Sequence, residues 1–332
     1  MTITTFPTPS FALIGAAGYI APRHLRAIKD IGGDLRAALD SADSVGVMDS
    51  FFPEARFFVE FERLDRYIDR CRREGPKVDY VSICSPNYLH DAHVRFALRS
   101  DANAICEKPL VLNAWNIDAI AEMERQTGKR VNTILQLRLH PVIADLARRI
   151  KAEPKGKVHD VDLTYITSRG RWYYTSWKGD DKKSGGIATN IGVHFFDMLT
   201  HVFGRVKTNI AHHRAADCAA GYLELERARV RWFLSINARD LPPEVKGKKT
   251  TYRSITVDGE EVEFSEGFTD LHTESYREIL AGRGFPLDEV RPSIDIVSAL
   301  RDAPLRPGDG ERHPYVDTVS ASSGRYVNGW PV

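Results

Sequence analysis

The sequence predicts an α/β fold in two parts. An N-terminal doubly wound parallel sheet is expected over residues 1–137, followed by an α+β domain with a large, mainly antiparallel sheet over 138–332. Three observations lead there. Short β-rich runs alternate with longer amphipathic helical patterns as far as about Arg138; after Pro141 strand-like runs follow one another with few helices between; and 332 residues suffice for two domains.

In the first part the strands are expected at Phe11–Ile14, Leu35–Leu39, Asp79–Cys84, Ala102–Cys106 and Arg130–Leu135. Between them, Arg23–Ile31, Phe61–Arg73, Leu89–Arg99 and Asn116–Gln126 carry apolar residues at three- and four-residue steps with charges between, the pattern of helices covering a sheet. In the second part Val158–Thr167, Thr208–Ala215, Ala219–Glu226, Val230–Asn237 and Tyr252–Val257 read as a meander best paired antiparallel. Helical patterns are expected at Ile187–Phe203, Asp270–Ala281 and Asp288–Arg301, and an extended tail from Pro304 onward.

Lys and Arg number 46 against 45 Asp and Glu, so no global charge footprint for nucleic acid is present, and no basic stripe alternates with aromatic residues. Cys71, Cys84, Cys106 and Cys218 match neither a disulfide framework nor a zinc-ribbon spacing; they read as reduced core thiols, and no metal is expected. Met1 to Ser10 carries no basic residue and no stretch is long and apolar enough to span a bilayer, so a cytoplasmic location without membrane contact is expected.

The first strand runs directly into Gly15-Ala16-Ala17-Gly18-Tyr19-Ile20-Ala21 and then a helical pattern, the context of a phosphate-binding turn. Glycine lets the backbone approach a pyrophosphate, whose charge then sits at a helix N-terminus. The spacing departs from G-x-G-x-x-G, because the middle glycine is displaced by one position. Asp40, after the second strand, is placed where a carboxylate accepts hydrogen bonds from the adenosine ribose and repels a 2′-phosphate, which favours NAD over NADP. Alone it would also read as a turn cap.

Ser85-Pro86-Asn87-Tyr88-Leu89-His90 and Glu107-Lys108-Pro109 each follow a buried strand, at the carboxyl edge where ligands bind. Pro109 is suited to a cis bond that aims Lys108. An isolated Glu-Lys-Pro would otherwise read as a solvated ion pair on a turn. Later, Gly185-Gly186 opens a helix on which Asn190 and His194, four residues apart, share a face. An amide and an imidazole so arranged can bind a hydroxyl and take its proton, although a lone histidine among aromatic residues is also an ordinary core residue.

Taken together, the glycine turn, Asp40, Pro86-Asn87-Tyr88-Leu89-His90, Glu107-Lys108-Pro109 and the Gly-Gly…Asn190…His194…Asp197 segment resemble the glucose–fructose oxidoreductase, inositol dehydrogenase and MocA (Gfo/Idh/MocA) family over nearly the whole chain. The resemblance implies a Rossmann domain binding NAD through Gly15, Gly18, Tyr19, Ile20, Asp40, Ser85, Pro86, Asn87, His90, Glu107 and Lys108, with Lys108, Asn190 and His194 as the catalytic group. The family's usual aspartate four before the histidine is Asn190 here. An amide cannot act as a base, so His194 leads as base and Lys108 stabilises the reacting oxygen, with a deprotonated Lys108 as the other candidate base.

A narrower likeness, carried by Gly-Ala-Ala-Gly-Tyr-Ile-Ala-Pro-Arg-His and by Arg171-Trp172-Tyr173-Tyr174 with Ser176-Trp177-Lys178-Gly179-Asp180, is to the WlbA-type UDP-N-acetylglucosaminuronate 3-dehydrogenases. It implies oxidation of a UDP-sugar 3-hydroxyl in bacterial surface polysaccharide (O-antigen, lipopolysaccharide) synthesis, NAD recycling by alpha-ketoglutarate, and a homotetramer. Arg169, Arg171 and Lys178 would meet the uronate and diphosphate, and Tyr173, Tyr174 and Trp177 the sugar or uracil, alongside Asn190 and His194. The competing reading makes this stretch a solvated loop. His272 and Tyr276 read as residues of a surface helix. Two other functions stay open: a dehydrogenase of a free sugar or cyclitol, and a non-catalytic nucleotide-responsive regulator.

Overall fold

The computed structural model describes residues 8–264, 270–320, 326–327 and 330–331. The chain divides into two compact units, the first made of 1–111, 115–136 and 269–290, the second of 112–114, 137–268 and 291–332.

The first unit is built on six parallel strands: β1 (Ser10–Ile14), β2 (Asp34–Leu39), β3 (Arg56–Phe58), β4 (Tyr80–Ile83), β5 (Asn103–Cys106) and β6 (Val131–Thr133). Their order is β3-β2-β1-β4-β5-β6. Order reverses between β1 and β4, and a crevice for ligands opens at the carboxyl ends of such a pair. Every residue of β1 is buried, as a central strand covered on both faces requires. Helices α1 (Ala21–Asp30), α2 (Phe61–Glu74), α3 (His90–Arg99) and α4 (Ala114–Thr127) connect the strands. On α1 the buried positions Ala21, His24, Leu25, Ala27 and Ile28 form the stripe that faces the core.

The edge strand β3 is absent from the sequence reading, because a three-residue strand is too short for alternation to register. Residues 269–290, placed by sequence in the second part, belong to the first unit, where the helix Leu271–Leu280 packs along α1. His272 and Tyr276 on that helix are 4% and 0% exposed, so they are core residues and not the surface positions expected.

The second unit carries β7 (His159–Thr167), β8 (Val206–Arg214), β9 (Cys218–Leu225), β10 (Ala228–Ser235), β11 (Thr251–Val257) and β12 (Glu260–Glu261) in the order β12-β11-β7-β10-β9-β8. Four of the five strand pairs are antiparallel, but β7 and β10 run parallel. The sheet is thus mainly antiparallel, as expected, and mixed through this one parallel pair. A helical crossover after β7 returns the chain so that β8 starts in the direction of β7, and the two reversals into β9 and β10 restore that direction. Helices α5 (Pro141–Ala152), α6 (Trp172–Thr175), α7 (Asp181–Ser184) and α8 (Val193–Phe203) precede β8; α9 is Leu271–Leu280, and α10 (Leu287–Asp302) lies in this unit from Arg291 on. The tail is not wholly extended, since Tyr315–Ser320 forms α11; of the rest, 321–325, 328–329 and 332 lie outside the described residues.

One sheet face packs on α8, where Phe196 meets Trp232 edge-on with ring centroids 5.2 Å apart. The other face carries a cluster of Ile166, Cys218, Ala220, Phe233, Leu241 and Val316. α8 is tied to the preceding chain by a buried bidentate pair, in which Arg138 donates to both carboxylate oxygens of Asp197 at 2.7 and 2.9 Å. All four cysteines are buried free thiols. Among the described residues no helix is long and apolar enough to cross a membrane.

Burial holds two histidines, His93 and His313, near a pKa of about 4, against an unfolded value of about 6.5. For His313 the cause is loss of hydration among the rings of Phe233 and Tyr315, with the Arg231 guanidinium adding to it against the pull of Asp162. For His93 it is burial again, with the neighbouring His90 adding to it. The unfolded chain therefore binds more protons than the folded one between these two values. Stability from this source is complete above the unfolded pKa and falls as pH drops toward about 4. Urea titrations across pH should show uptake of about two protons on unfolding near pH ~5 from these rings. A pH-independent midpoint over that range would contradict their burial in the neutral form.

Candidate active site

The turn after β1 is shaped by contact with the end of β4. Gly15 has φ +93°, and a Cβ placed on it would lie 2.6 Å from the Cys84 carbonyl carbon and 2.7 Å from the Ser85 nitrogen. Only glycine meets both demands. The Gly15 and Ala16 amides donate to the Leu39 carbonyl at 2.7 and 3.1 Å, fastening the turn to the end of β2. Asp40 completes it: one carboxylate oxygen accepts from the Ala17 amide at 2.9 Å and the other from the Ala42 amide at 3.0 Å. The cradle at Gly15, the start of α1 at Ala21 and the carboxylate after β2 fit a dinucleotide. Tyr19 stands exposed beside them and Ile20 is half-buried. Gly15→Ala should weaken NAD binding by about tenfold or more, since it adds left-handed strain to a backbone clash. Calorimetric titration with NAD checks this, and unchanged affinity would remove the turn from the cofactor site.

The segments after β4 and β5 are clamped together. His90 is buried, with Nδ1 2.7 Å from the Pro109 carbonyl and Nε2 2.8 Å from the Ser85 carbonyl. Ser85 and Asn87 are buried as well, and the Ser85 hydroxyl lies 2.8 Å from Nδ1 of His93. The Lys108–Pro109 peptide bond is cis, in agreement with the expectation from sequence, and Lys108 is half-buried.

Glu107, at the end of β5, is engaged by groups of the protein itself. It is buried, its Oε1 lies 2.9 Å from Nε2 of His24 and 3.0 Å from Nε2 of His272, and its Oε2 accepts from the Lys108 amide at 3.2 Å. Burial alone would push its carboxyl up, but the imidazole contacts from His24 and His272 win and hold it well below the usual carboxylate range.

In the second unit the Gly185-Gly186 pair has φ +82° and +77°, and a Cβ on Gly185 would strike the Thr189 side chain at 2.7 Å. The helix then opens as one wide π-helical turn, Ala188–Gly192, before α8 begins; such turns recur at functional sites. The single regular helix expected over Ile187–Phe203 is thus interrupted within its first turns. Asn190 Nδ2 donates to the Tyr173 hydroxyl at 2.7 Å. Tyr173 is 1% exposed and burial pushes its pKa up to about 12, so the ring is a support for Asn190 rather than an open planar surface. His194, half-buried, stands 4.3 Å from the Phe195 ring and 6.0 Å from that of Tyr165.

The other residues expected at the substrate lie between β7 and α7. Arg169 and Arg171 are exposed, Tyr174 and Trp177 are half-buried, and Lys178 Nζ sits 3.8 Å from the centre of the Trp177 ring. Arg253 carries no sequence signal that singles it out. Its guanidinium packs 5.6 Å from the Tyr165 ring and 6.0 Å from that of Phe195, both neighbours of His194. His24 escapes the sequence reading too, although a histidine on the apolar stripe of α1 is a signal in itself.

A doubly wound sheet with a glycine cradle, joined to a mixed-sheet unit that carries Asn190 and His194, is the architecture of a nucleotide-dependent oxidoreductase. The chain belongs to the Gfo/Idh/MocA oxidoreductase family: the family's NAD-binding Rossmann-fold model matches residues 10–134 and its C-terminal alpha/beta-domain model residues 148–302. Among solved structures it is similar to the WlbA (WbpB) dehydrogenase of Thermus thermophilus in complex with NAD and UDP-GlcNAcA, at 55% identity and a TM-score of 0.89 over 93% of this chain and 100% of that one. The same enzyme with NAD and alpha-ketoglutarate gives a TM-score of 0.90 at 55% identity, with the same coverage. Curated relatives match over shorter stretches. The putative oxidoreductase YteT of Bacillus subtilis is 26% identical over 46% of this chain and 36% of its own length. Glucose-6-phosphate 3-dehydrogenase of the same organism is 26% identical over 58% and 53%. The matched region thus spans about half or less of these relatives.

Proposed function

We propose that the chain is an NAD-dependent dehydrogenase that oxidises the 3-hydroxyl of UDP-N-acetyl-D-glucosaminuronate to the ketone. The observation that carries this is the 55% identity over the full length of the Thermus dehydrogenase, described with NAD and UDP-GlcNAcA. NAD, when bound, accepts the hydride from the carbinol carbon. The hydroxyl proton passes to a base of this chain, so the sugar loses one hydride and one proton and becomes a ketone. His194 is that base; Asn190, held by Tyr173, orients the hydroxyl; and the Lys108 ammonium donates to the reacting oxygen as negative charge develops on it. Gly15, Gly18 and Asp40 hold the dinucleotide, and Arg169, Arg171 and Lys178 meet the uronate and diphosphate.

Alpha-ketoglutarate would serve as the second substrate, taking up the hydride and a proton to become the 2-hydroxy acid and so returning the cofactor to its oxidised form, a reading supported by the Thermus complex with that acid. The enzyme works as a cytoplasmic homotetramer in O-antigen synthesis. Oxidation of a free sugar or cyclitol is the competing reading, favoured by the match to inositol 2-dehydrogenase of Rhizobium meliloti, 30% identical over 61% of this chain and 57% of that one. Incubation with a panel of UDP-sugars, free sugars and cyclitols, with and without alpha-ketoglutarate, separates the two. Turnover of the UDP-uronate and inhibition by UDP are expected; turnover of free sugars alone, insensitive to UDP, would replace this reading.

A further inference from the structure

Behind the Lys108 segment lies a buried polar chain that the proposed chemistry does not use. It runs from Ser82 on β4 to Tyr276 on α9, His24 on α1, Glu107 at the end of β5 and His272 on α9. The Ser82 and Tyr276 hydroxyls are 2.6 Å apart, and the Tyr276 hydroxyl is 2.8 Å from Nδ1 of His24. Nε2 of His24 and Nε2 of His272 converge on one oxygen of Glu107, at 2.9 and 3.0 Å. Each of the five residues is less than a tenth exposed.

Glu107 is ionised and can only accept, so both Nε2 atoms carry protons. With Nε2 protonated and burial keeping His24 neutral, its Nδ1 must accept, so Tyr276 donates to it and Ser82 donates to Tyr276. Every link then has one donor and one acceptor, and the buried carboxylate is compensated. The second oxygen of Glu107 accepts from the Lys108 amide, so the chain ends on the backbone of the residue that touches the reacting oxygen.

We propose that His24 and His272 are positioning residues, which fix Glu107 and through it the placement of Lys108. This rests on the role given to Lys108 above. The two histidines reach the strand end from α1 and α9, so a helix distant in sequence braces the lysine. Without one imidazole, a buried carboxylate oxygen loses a donor and the segment must shift or admit water. Misplacement of a reacting group by about 1 Å can cost about 100-fold in rate.

His272→Leu removes the donor, whereas His272→Gln keeps an N–H near the position of Nε2. Both are compared with wild type for thermal midpoint, NAD affinity, kcat and KM. His272→Leu should fold, bind NAD within about threefold, keep KM within about threefold and lose about 10- to 100-fold in kcat; His272→Gln should recover to within about threefold of wild type. Wild-type kcat in a folded His272→Leu, or equal losses in both variants, would overturn the proposal. Should His272→Leu fail to fold, His24→Gln and His24→Leu give the same comparison.

A second readout does not depend on turnover. Acylation of Lys108 by acetic anhydride, measured by peptide mass spectrometry against the exposed Lys246, should change at least about threefold in the Leu variant and return in the Gln variant. If wild type oxidises no substrate, the assigned reaction fails while this readout still decides the positioning role. The same three ligand atoms could coordinate a metal ion. One equivalent of zinc in the purified wild type, absent from His24→Leu, would overturn the hydrogen-bonded reading.

Discussion

Replacing Lys108 by Met should lower the rate of hydride transfer by about two to four orders of magnitude while leaving NAD affinity nearly intact. The side chain of Met has similar length and keeps the contacts of the lysine stem. The ammonium is lost, and with it the donor proposed to stabilise the developing alkoxide. The backbone hold is untouched, since the Lys108 amide still donates to Glu107 and His90 still clamps the Pro109 and Ser85 carbonyls. Single-turnover reduction of NAD reads the chemical step directly. A variant retaining half the wild-type rate would place Lys108 outside the chemistry.

The second large effect concerns His194 and the amide that stands where the family's aspartate would be. If His194 is the base, His194→Asn should cost about 100- to 10,000-fold in turnover and abolish the acidic limb of the pH–rate profile. Asn190→Asp should act differently. The amide now donates to the Tyr173 hydroxyl; a carboxylate can only accept, so that hydroxyl must turn and donate to it. Tyr173 can do so, because with a pKa of about 12 it keeps its proton across the working range. The new carboxylate would favour the imidazolium of His194, raise its pKa and move the acidic limb upward. Turnover across pH for the three proteins separates these roles. An unaltered profile in His194→Asn would transfer the base to Lys108.

The first domain is legible in the sequence because its central strands and helices have strong periodicity and its loops carry glycine, proline and the Glu-Lys-Pro segment in order. What escapes has physical causes. β3 is shorter than the window in which alternation registers. The parallel pairing of β7 with β10 depends on where a helical crossover delivers the chain, which local pattern does not encode. His24, His272 and Tyr276 lie on the buried stripes of α1 and α9, where a polar residue looks like an interruption until its distant partner is known. Their hydrogen bonds join residues far apart in the chain, as with His24 and Tyr276, 252 positions apart. The loop before α8 reads as a set of substrate contacts, yet Tyr173 within it is buried under Asn190, since aromatic composition does not distinguish a lining ring from a supporting one.

The central claim is that hydride leaves carbon 3 of the uronate sugar. UDP-N-acetylglucosaminuronate carrying deuterium at C3, incubated with the enzyme and NAD, tests it most directly. Transfer of the label to the nicotinamide ring, with a UDP-linked 3-keto sugar as product, is the expected result. NADH free of deuterium, or a labelled sugar recovered unchanged while another substrate is oxidised, would contradict the account.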